Sequence, residues 1–135
     1  MKVIVDSCIW SLAFRRSSYD PDNQYVKELE TLIKRGLVQL MGPIRQEILS
    51  GIPTKEQFKK LHTALDFFPD LELTTNDYVT AAAFFNQARK SGIQGSTVDF
   101  LIAATAVNNN MHIFSCDKDF QNFRQVLPIK LHLCN

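Results

Sequence analysis

Hydrophobic residues along the chain follow two patterns that alternate from one end to the other. Short apolar runs are typical of buried strands, and the predicted strands are Val3–Asp6, Leu37–Met41, Leu71–Thr74, His112–Ser115 and Ile129–Leu133. Between them, apolar residues recur with the 3.6-residue period of amphipathic helices, and the predicted helices are Ser7–Phe14, 22–35, 43–50, 54–65, Asn76–Ser91 and Thr97–Asn109. Strands that alternate with helices predict an α/β fold with a mostly parallel sheet of about five strands, covered on both faces.

Length and composition add few constraints to this picture. The chain has 135 residues without a repeat, a low-complexity tract or a linker, which predicts a single domain over residues 1–135. The net charge of +1 gives the protein no strong overall positive field, so the net charge does not indicate a nucleic-acid partner. Binding to a nucleic acid would depend on basic residues that cluster locally. No apolar run is long enough to cross a bilayer, and Asp6 interrupts the first apolar segment too early for a signal peptide. We therefore expect a cytoplasmic protein with no membrane partner.

Cysteine and histidine residues show no spacing known for metal sites. Cys8, Cys116 and Cys134 form no C-x-x-C pair, so we expect reduced thiols that pack as small apolar groups. The histidines are scattered and match no H-E-x-x-H pattern. Any metal site in this chain would therefore be built from carboxylates.

Four acidic residues lie where a ligand site is expected in an open α/β sheet, beyond the carboxyl ends of the strands. Asp6 ends the first predicted strand, and Asp117 follows the fourth in the segment IFSCDKDF. Glu47 lies in the helix after the second strand, and Asp99 lies in the first turn of the helix before the fourth. We expect these carboxylates to converge at one edge of the sheet.

Each of these acids also has a purely structural interpretation. Asp6 fits the N-cap of the helix that follows it, and Asp117 fits the N-cap of a short helix of its own. Asp99 completes a capping-box pattern in the segment STVD, and Glu47 fits a solvated helix flank. Taken singly, the structural interpretation is the more common case for each acid.

The periodicity of two helices favours a functional site when the acids are taken together. Glu47 borders the apolar stripe of its helix, and Asp99 shares a face with Ile102 and Ala106, so both are expected to point towards the protein. Two unit charges about 4 Å apart repel by roughly 4 kcal/mol near a protein surface, so converging acids need raised pKa values or a counter-cation. Oxygen ligands select Mg²⁺ or Mn²⁺. An ion held by carboxylates suits phosphoryl chemistry, and this composition of the site favours a phosphodiester hydrolase. The sequence has no glycine-rich phosphate loop, so use of a nucleoside triphosphate or a dinucleotide is not indicated.

Four segments of the chain resemble, in order, the motifs of PIN domains, and most closely those of VapC-type ribonuclease toxins: VIVDSCIW, PIRQEILSG, GSTVDFLIAATAVNNN and IFSCDKDF. The resemblance covers essentially the whole chain and implies a PIN-like α/β/α sandwich. It implies that the catalytic and metal-binding acids are Asp6, Glu47, Asp99 and Asp117. It also implies supporting roles for Ser7 and Ser115, and it leaves Asp119 as an alternative to the fourth acid.

The same resemblance implies an activity and partners. The expected enzyme is a Mg²⁺- or Mn²⁺-dependent endoribonuclease, the toxin of a type II toxin–antitoxin pair, with transfer RNA among the candidate RNA substrates. It also implies a cognate antitoxin protein and a homodimer. Arg15, Arg16 and Lys118 lie close in sequence to Asp6 or Asp117 and are candidate RNA contacts. A catalytically silent PIN-like module that binds RNA or protein stays open as the alternative. A phosphatase with an Asp nucleophile ranks last, because the first strand is not followed by an Asp-x-Asp pattern.

Overall fold

A parallel sheet of short strands lies at the centre of the protein, in the computed structural model that describes residues 1–14 and 20–134. The strands are β1 (Val3–Val5), β2 (Val38–Gln39) and β3 (His112–Phe114). The helices within the described residues are α1 (Ser7–Phe14), α2 (Gln24–Lys34), α3 (Gly42–Leu49), α4 (Lys55–Leu65), α5 (Thr75–Lys90), α6 (Thr97–Asn108) and α7 (Lys118–Phe123). The predicted α/β fold is confirmed.

None of these helices combines the length and the apolar character needed to cross a bilayer.

The strand order is β2-β1-β3, and both outer strands run parallel to β1. All residues of β1 are buried. Because successive side chains of a strand point to opposite faces, both faces of the sheet are covered, as predicted. Val5 pairs with Phe114 in the register of β1 and β3, so the residues that follow, Asp6 and Ser115, leave the sheet side by side.

The two outermost predicted strands are reduced to one parallel bridge each, so the described residues form three strands rather than about five. Leu40 bridges Asp70 beyond β2, and Ile113 bridges Leu131 beyond β3. The first of these segments runs directly into α5, whose N-cap is Thr74. Along the second segment Leu133 is 63% exposed, so its outer end lacks the packing surface that stabilises a strand.

Aromatic packing fixes the elements that border the carboxyl edge of the sheet. Phe100 of α6 stacks on Phe123 of α7 with 4.5 Å between the ring centroids, and both rings are buried. Gly95 passes directly against this pair: a Cβ atom there would overlap Cζ of Phe123 and lie 2.8 Å from its Cε1. Phe100 follows Asp99 in the chain, and α7 carries Asp119 and is capped by Asp117, so this packing holds the two helices that present those carboxylates.

Candidate acidic site

Asp6 directly follows β1 and is almost completely buried, with 4% of its surface exposed. Its Oδ1 accepts a hydrogen bond from the backbone N–H of Ser7 at 2.8 Å, and its Oδ2 accepts one from the Ser115 hydroxyl at 2.8 Å. An N-cap side chain binds the amide of the second or third helical residue instead, so capping does not explain this position. Burial raises the pKa of Asp6 and the Glu47 carboxylate raises it further, against the hydrogen bonds from Ser115 and Ser7, which lower it.

Glu47 faces the start of α1, where its Oε1 accepts a hydrogen bond from the Ser7 hydroxyl. The expectation that Glu47 points into the protein is wrong, because its side chain is exposed. Ile44 and Ile48 occupy the buried stripe of α3 and leave Glu47 at the margin. Its charge still adds to the effect of burial, which raises the pKa of Asp6. The Ser7 hydroxyl thus connects the helix that follows Asp6 with the helix that carries Glu47.

Asp99 is both a helix cap and a member of the acidic site. At the start of α6 its amide donates to Oγ of Ser96 at 3.1 Å, and its Oδ2 accepts from the amide of Ser96 at 3.5 Å. Asp99 is half-buried, and burial raises its pKa to about 6, with further contributions from the carboxylates of Asp6 and Asp117. Capping and clustering are therefore not alternatives at this position.

Asp117 and Asp119 both lie beside Asp99. A carboxylate oxygen from each of these three residues lies within 4.8 Å of the other two. Asp117 is also the N-cap of α7, since its Oδ1 accepts from the amide of Asp119 at 2.9 Å. Asp117 is exposed and Asp119 is half-buried. The structure thus brings both candidates for the fourth acid to the same place.

Ser115 links the two strand ends at this site through a single hydroxyl group. Its Oγ donates to Oδ2 of Asp6 at 2.8 Å and accepts from the amide of Asp117 at 3.0 Å. The hydroxyl therefore orients the first carboxylate and anchors the turn that presents the last two acids.

Cys8 is a member of the site that the sequence interpretation missed. Its Sγ lies 3.4 Å from Oγ of Ser115 and 3.6 Å from Oδ2 of Asp6, and it accepts from the amide of Cys116 at 3.2 Å. Burial and the Asp6 carboxylate raise the pKa of the Cys8 thiol, so the thiol stays protonated. All three cysteines of the chain are unpaired thiols. The signal in the sequence was the position of Cys8, two residues after Asp6.

The candidate RNA contacts are described only in part. Lys118 is the first residue of α7 and is exposed between two of the acids. Arg15 and Arg16 lie outside the described residues.

The donor set at the site suits a hard divalent cation. The anionic groups gathered there are carboxylates, and Mg²⁺ binds carboxylate oxygens at about 2.1 Å. One carboxylate oxygen each from Asp99, Asp117 and Asp119 lies within 4.8 Å of the other two, so these three residues could hold one ion. A cation would also relieve the repulsion that contributes to the raised pKa values of Asp6 and Asp99.

A family model for the PIN domain matches residues 3–126 of the chain. The chain belongs to the PIN-domain family. Crystal structures share this PIN-domain fold over nearly the whole chain. FitAcB from Neisseria gonorrhoeae matches with a TM-score of 0.74 and 19% identity, covering 97% of this chain and 96% of the other. VapBC2 from Rickettsia felis, bound to a DNA fragment from their promoter, matches with a TM-score of 0.74 and 20% identity, covering 98% of each chain.

A further match is DNA-bound VapBC from Salmonella typhimurium, with a TM-score of 0.76 and 9% identity over 98% of this chain and 97% of the other. At these identities the similarity is one of fold. A search of curated protein sequences found no significant match.

Proposed function

We propose that this PIN-domain protein is a metal-dependent endoribonuclease and the toxin of a type II toxin–antitoxin pair. The observation that carries the proposal is the group of carboxylates at the carboxyl edge of the sheet: Asp6, Glu47, Asp99, Asp117 and Asp119. Membership of the PIN-domain family supports a nuclease. Acids that repel one another in a partly buried site are the arrangement that a cation stabilises.

The ligands that we propose for Mg²⁺ or Mn²⁺ are Asp6, Glu47, Asp99 and Asp117, with Asp119 beside them. A divalent ion, when bound, supplies an activated water and stabilises negative charge on the scissile phosphate. Hydroxyl groups of the chain hold the carboxylates in place: Ser115 donates to Asp6, and Ser7 donates to Glu47. Carboxylates that are oriented in advance lose less freedom when the ion binds.

We propose RNA as the substrate, with transfer RNA as one candidate, and the cytoplasm as the place of action. The acids repel a phosphate backbone, so RNA binding needs the cation together with nearby basic groups. Lys118 is exposed in the turn that carries Asp117 and Asp119. Arg15 and Arg16 follow α1 in the sequence and are the other candidates.

The partner that we propose for the acidic site is a cognate antitoxin protein. The solved FitAcB and VapBC complexes, in which chains of the same fold occur, support such a partner. The negative site is complementary to a cationic side chain, and an arginine delivered by the antitoxin would neutralise it as a metal ion does. Two of the VapBC structures contain DNA, and we extend DNA binding to the assembly of this chain with its antitoxin.

A second copy of the chain is the partner that we propose for an apolar groove between α5 and α6. The groove has a volume of about 480 Å³, and its lining includes Tyr78, Phe85, Val98 and Leu101. The lining residues that the structure describes carry no charge. A two-fold interface places the same face of each copy together, and an uncharged face does so without repulsion. Depletion of charge with retained aromatic residues is typical of interface centres.

Cleavage of total cellular RNA by the purified, antitoxin-free protein tests the nuclease proposal. We expect discrete fragments with Mn²⁺ and none with EDTA or with the Asp6→Asn variant. Asp22→Asn is the matched control, because Asp22 is exposed and contacts Lys27 rather than the site. Cleavage that persists in Asp6→Asn would overturn the assignment of the active site, and the fragment ends would identify the RNA.

A catalytically silent module that binds RNA or protein is the second candidate. One observation favours it: Asp99 and Asp117 are both engaged as helix caps, and caps need no metal. A Mn²⁺ titration separates the two candidates. A nuclease binds Mn²⁺ and loses that binding in Asp6→Asn, whereas a silent module shows neither effect.

A further inference from the structure

Arg45 of α3 is clamped by the chain segment that joins α4 to α5. Its Nε donates to both carboxylate oxygens of Asp70, at 3.0 and 3.2 Å, and its Nη2 donates to the carbonyl of Phe68. Its Nη1 lies 3.7 Å from the carboxylate of Asp66. Only 18% of the Arg45 side chain is exposed. The planar guanidinium serves several acceptors at once, which the single ammonium group of a lysine cannot do.

The segment that holds Arg45 is itself fixed to the edge of the sheet. Asp70 forms a parallel bridge with Leu40, directly after β2. The side-chain amide of Gln39, which is buried in β2, donates to the carbonyl of Pro69 at 3.2 Å. The clamp therefore connects α3 to β2, and β2 pairs with β1, the strand that leads into the acidic site.

The helix that carries Arg45 is short and buries a narrow surface against the core. α3 has 8 residues, and its N-cap Met41 makes no side-chain capping bond. Its buried residues are Ile44 and Ile48, which form one narrow stripe. A narrow stripe holds a helix against the core and sets its rotation coarsely, so polar contacts on either side refine that rotation.

Two polar contacts flank this stripe, and they are made by Arg45 and Glu47. These residues are two positions apart, which is about 200° around a helix, so they point to opposite sides. Arg45 holds the clamp on one side, and Glu47 accepts from the Ser7 hydroxyl on the other. A rotation that frees Arg45 from Asp70 would therefore also move the Glu47 carboxylate relative to Asp6.

We propose that Arg45 is a positioning residue, which sets the metal affinity of the acidic site by holding Glu47 at α1. The inference rests on the proposed role of Glu47 in metal binding. In this proposal Arg45 does not touch the ion or any carboxylate of the acidic site. It acts through α3, the helix that it shares with Glu47. Groups that orient metal ligands typically change metal affinity by about tenfold to a hundredfold when removed, and we expect about tenfold for Arg45→Met.

A double-mutant cycle measured by Mn²⁺ binding tests this proposal. The four proteins are the wild type, Arg45→Met, Glu47→Ala and the double variant, with free Mn²⁺ followed by its electron paramagnetic resonance signal. We expect Arg45→Met to weaken Mn²⁺ binding in the wild-type background and to have no further effect once Glu47 is absent. Its effect on the thermal midpoint should be the same in both backgrounds, because the clamp stabilises the fold whether or not Glu47 is present.

Two further variants keep the test decisive if Arg45→Met folds poorly. Asp70→Asn weakens the same clamp from the other side and should reproduce the loss of Mn²⁺ affinity, again only when Glu47 is present. Arg89→Met is the matched control, since Arg89 is exposed in the last turn of α5. Equal losses of affinity in both backgrounds, or no loss from either clamp variant, would overturn the positioning role alone. A Glu47→Ala variant that binds Mn²⁺ normally would overturn the metal-binding role of Glu47 and this inference with it, while the Asp6→Asn cleavage test would still decide the nuclease.

Discussion

The Ser115 hydroxyl lies 2.8 Å from Oδ2 of Asp6, and this hydrogen bond joins the carboxyl ends of β1 and β3 at the acidic site. The same hydroxyl accepts from the amide of Asp117. Two carboxylates that come from opposite ends of the chain are therefore placed by one small side chain.

Removal of this hydroxyl should impair metal binding more than it impairs folding. In Ser115→Ala, Asp6 loses a hydrogen-bond donor and the amide of Asp117 loses its acceptor. We expect about tenfold weaker Mn²⁺ binding and a loss of about 1–2 kcal/mol in the free energy of unfolding. Ser115→Thr keeps the hydroxyl and should behave like the wild type. Calorimetric titration with Mn²⁺ and chemical unfolding measure both quantities, and unchanged Mn²⁺ affinity in the alanine variant would contradict the prediction.

The stability of the metal-free protein should depend on pH through Asp99. Its pKa is about 6 in the folded protein against an ordinary value of 3.8. The folded state therefore holds this proton more tightly than the unfolded state, and the Asp99 contribution to stability falls as the pH rises from about 4 to about 6. Above that window the contribution is level.

The Asp99→Asn variant isolates this contribution. In EDTA, its thermal midpoint should rise relative to the wild type between pH 4 and pH 6.5, because Asn carries no charge to bury. With Mn²⁺ at pH 7 the order should reverse, since an ion that binds the folded wild type stabilises it. A difference in midpoint that stays constant across this pH range would show that Asp99 acts only as a cap.

Packing at Gly95 should control the position of α7. In Gly95→Ala the added methyl group meets the buried ring of Phe123, and overpacking of this kind costs about 1–3 kcal/mol. Because α7 carries Asp119, we expect lower stability together with weaker Mn²⁺ binding. Gly42→Ala is the control, since a Cβ atom there meets nothing within 4 Å. Thermal unfolding and Mn²⁺ titration of both variants check this expectation, and a Gly95→Ala protein with wild-type values for both would refute it.

A charge placed on the uncharged face of α5 should separate the proposed dimer. Val79 is 61% exposed next to Tyr78 of the groove, so Val79→Lys should fold normally yet bring two like charges together at a two-fold interface. We expect sedimentation to show a dimer for the wild type and a monomer for this variant. Phe67→Lys is the control, because Phe67 is 82% exposed and lies outside the groove. A wild type that sediments as a monomer would end the homodimer proposal.

Periodicity of the sequence predicted most of the helices, because residues three and four positions apart lie on the same face of a helix. Each of the six predicted helices begins and ends within two residues of the observed bounds. The acids Asp6 and Asp117 were predicted from an equally local feature, the end of an apolar run. For Asp99, the sequence offered capping and catalysis as alternatives, and the structure shows that one carboxylate can serve a cap and a cluster together.

Contacts between distant parts of the chain were decided only by the tertiary structure. The hydrogen bond between Ser115 and Asp6 spans 109 positions, and the one between Arg45 and Asp70 spans 25. The windows of about 11–18 residues over which periodicity is recognised contain both partners of neither pair. The outer strands and the exposure of Glu47 were mispredicted for the same reason: a strand persists, and a helix flank is buried, only where another element covers it.

The sequence by itself therefore determined the order of the elements and most of the acids, since both are local. The tertiary structure decided which groups hold those acids in place, since that depends on packing.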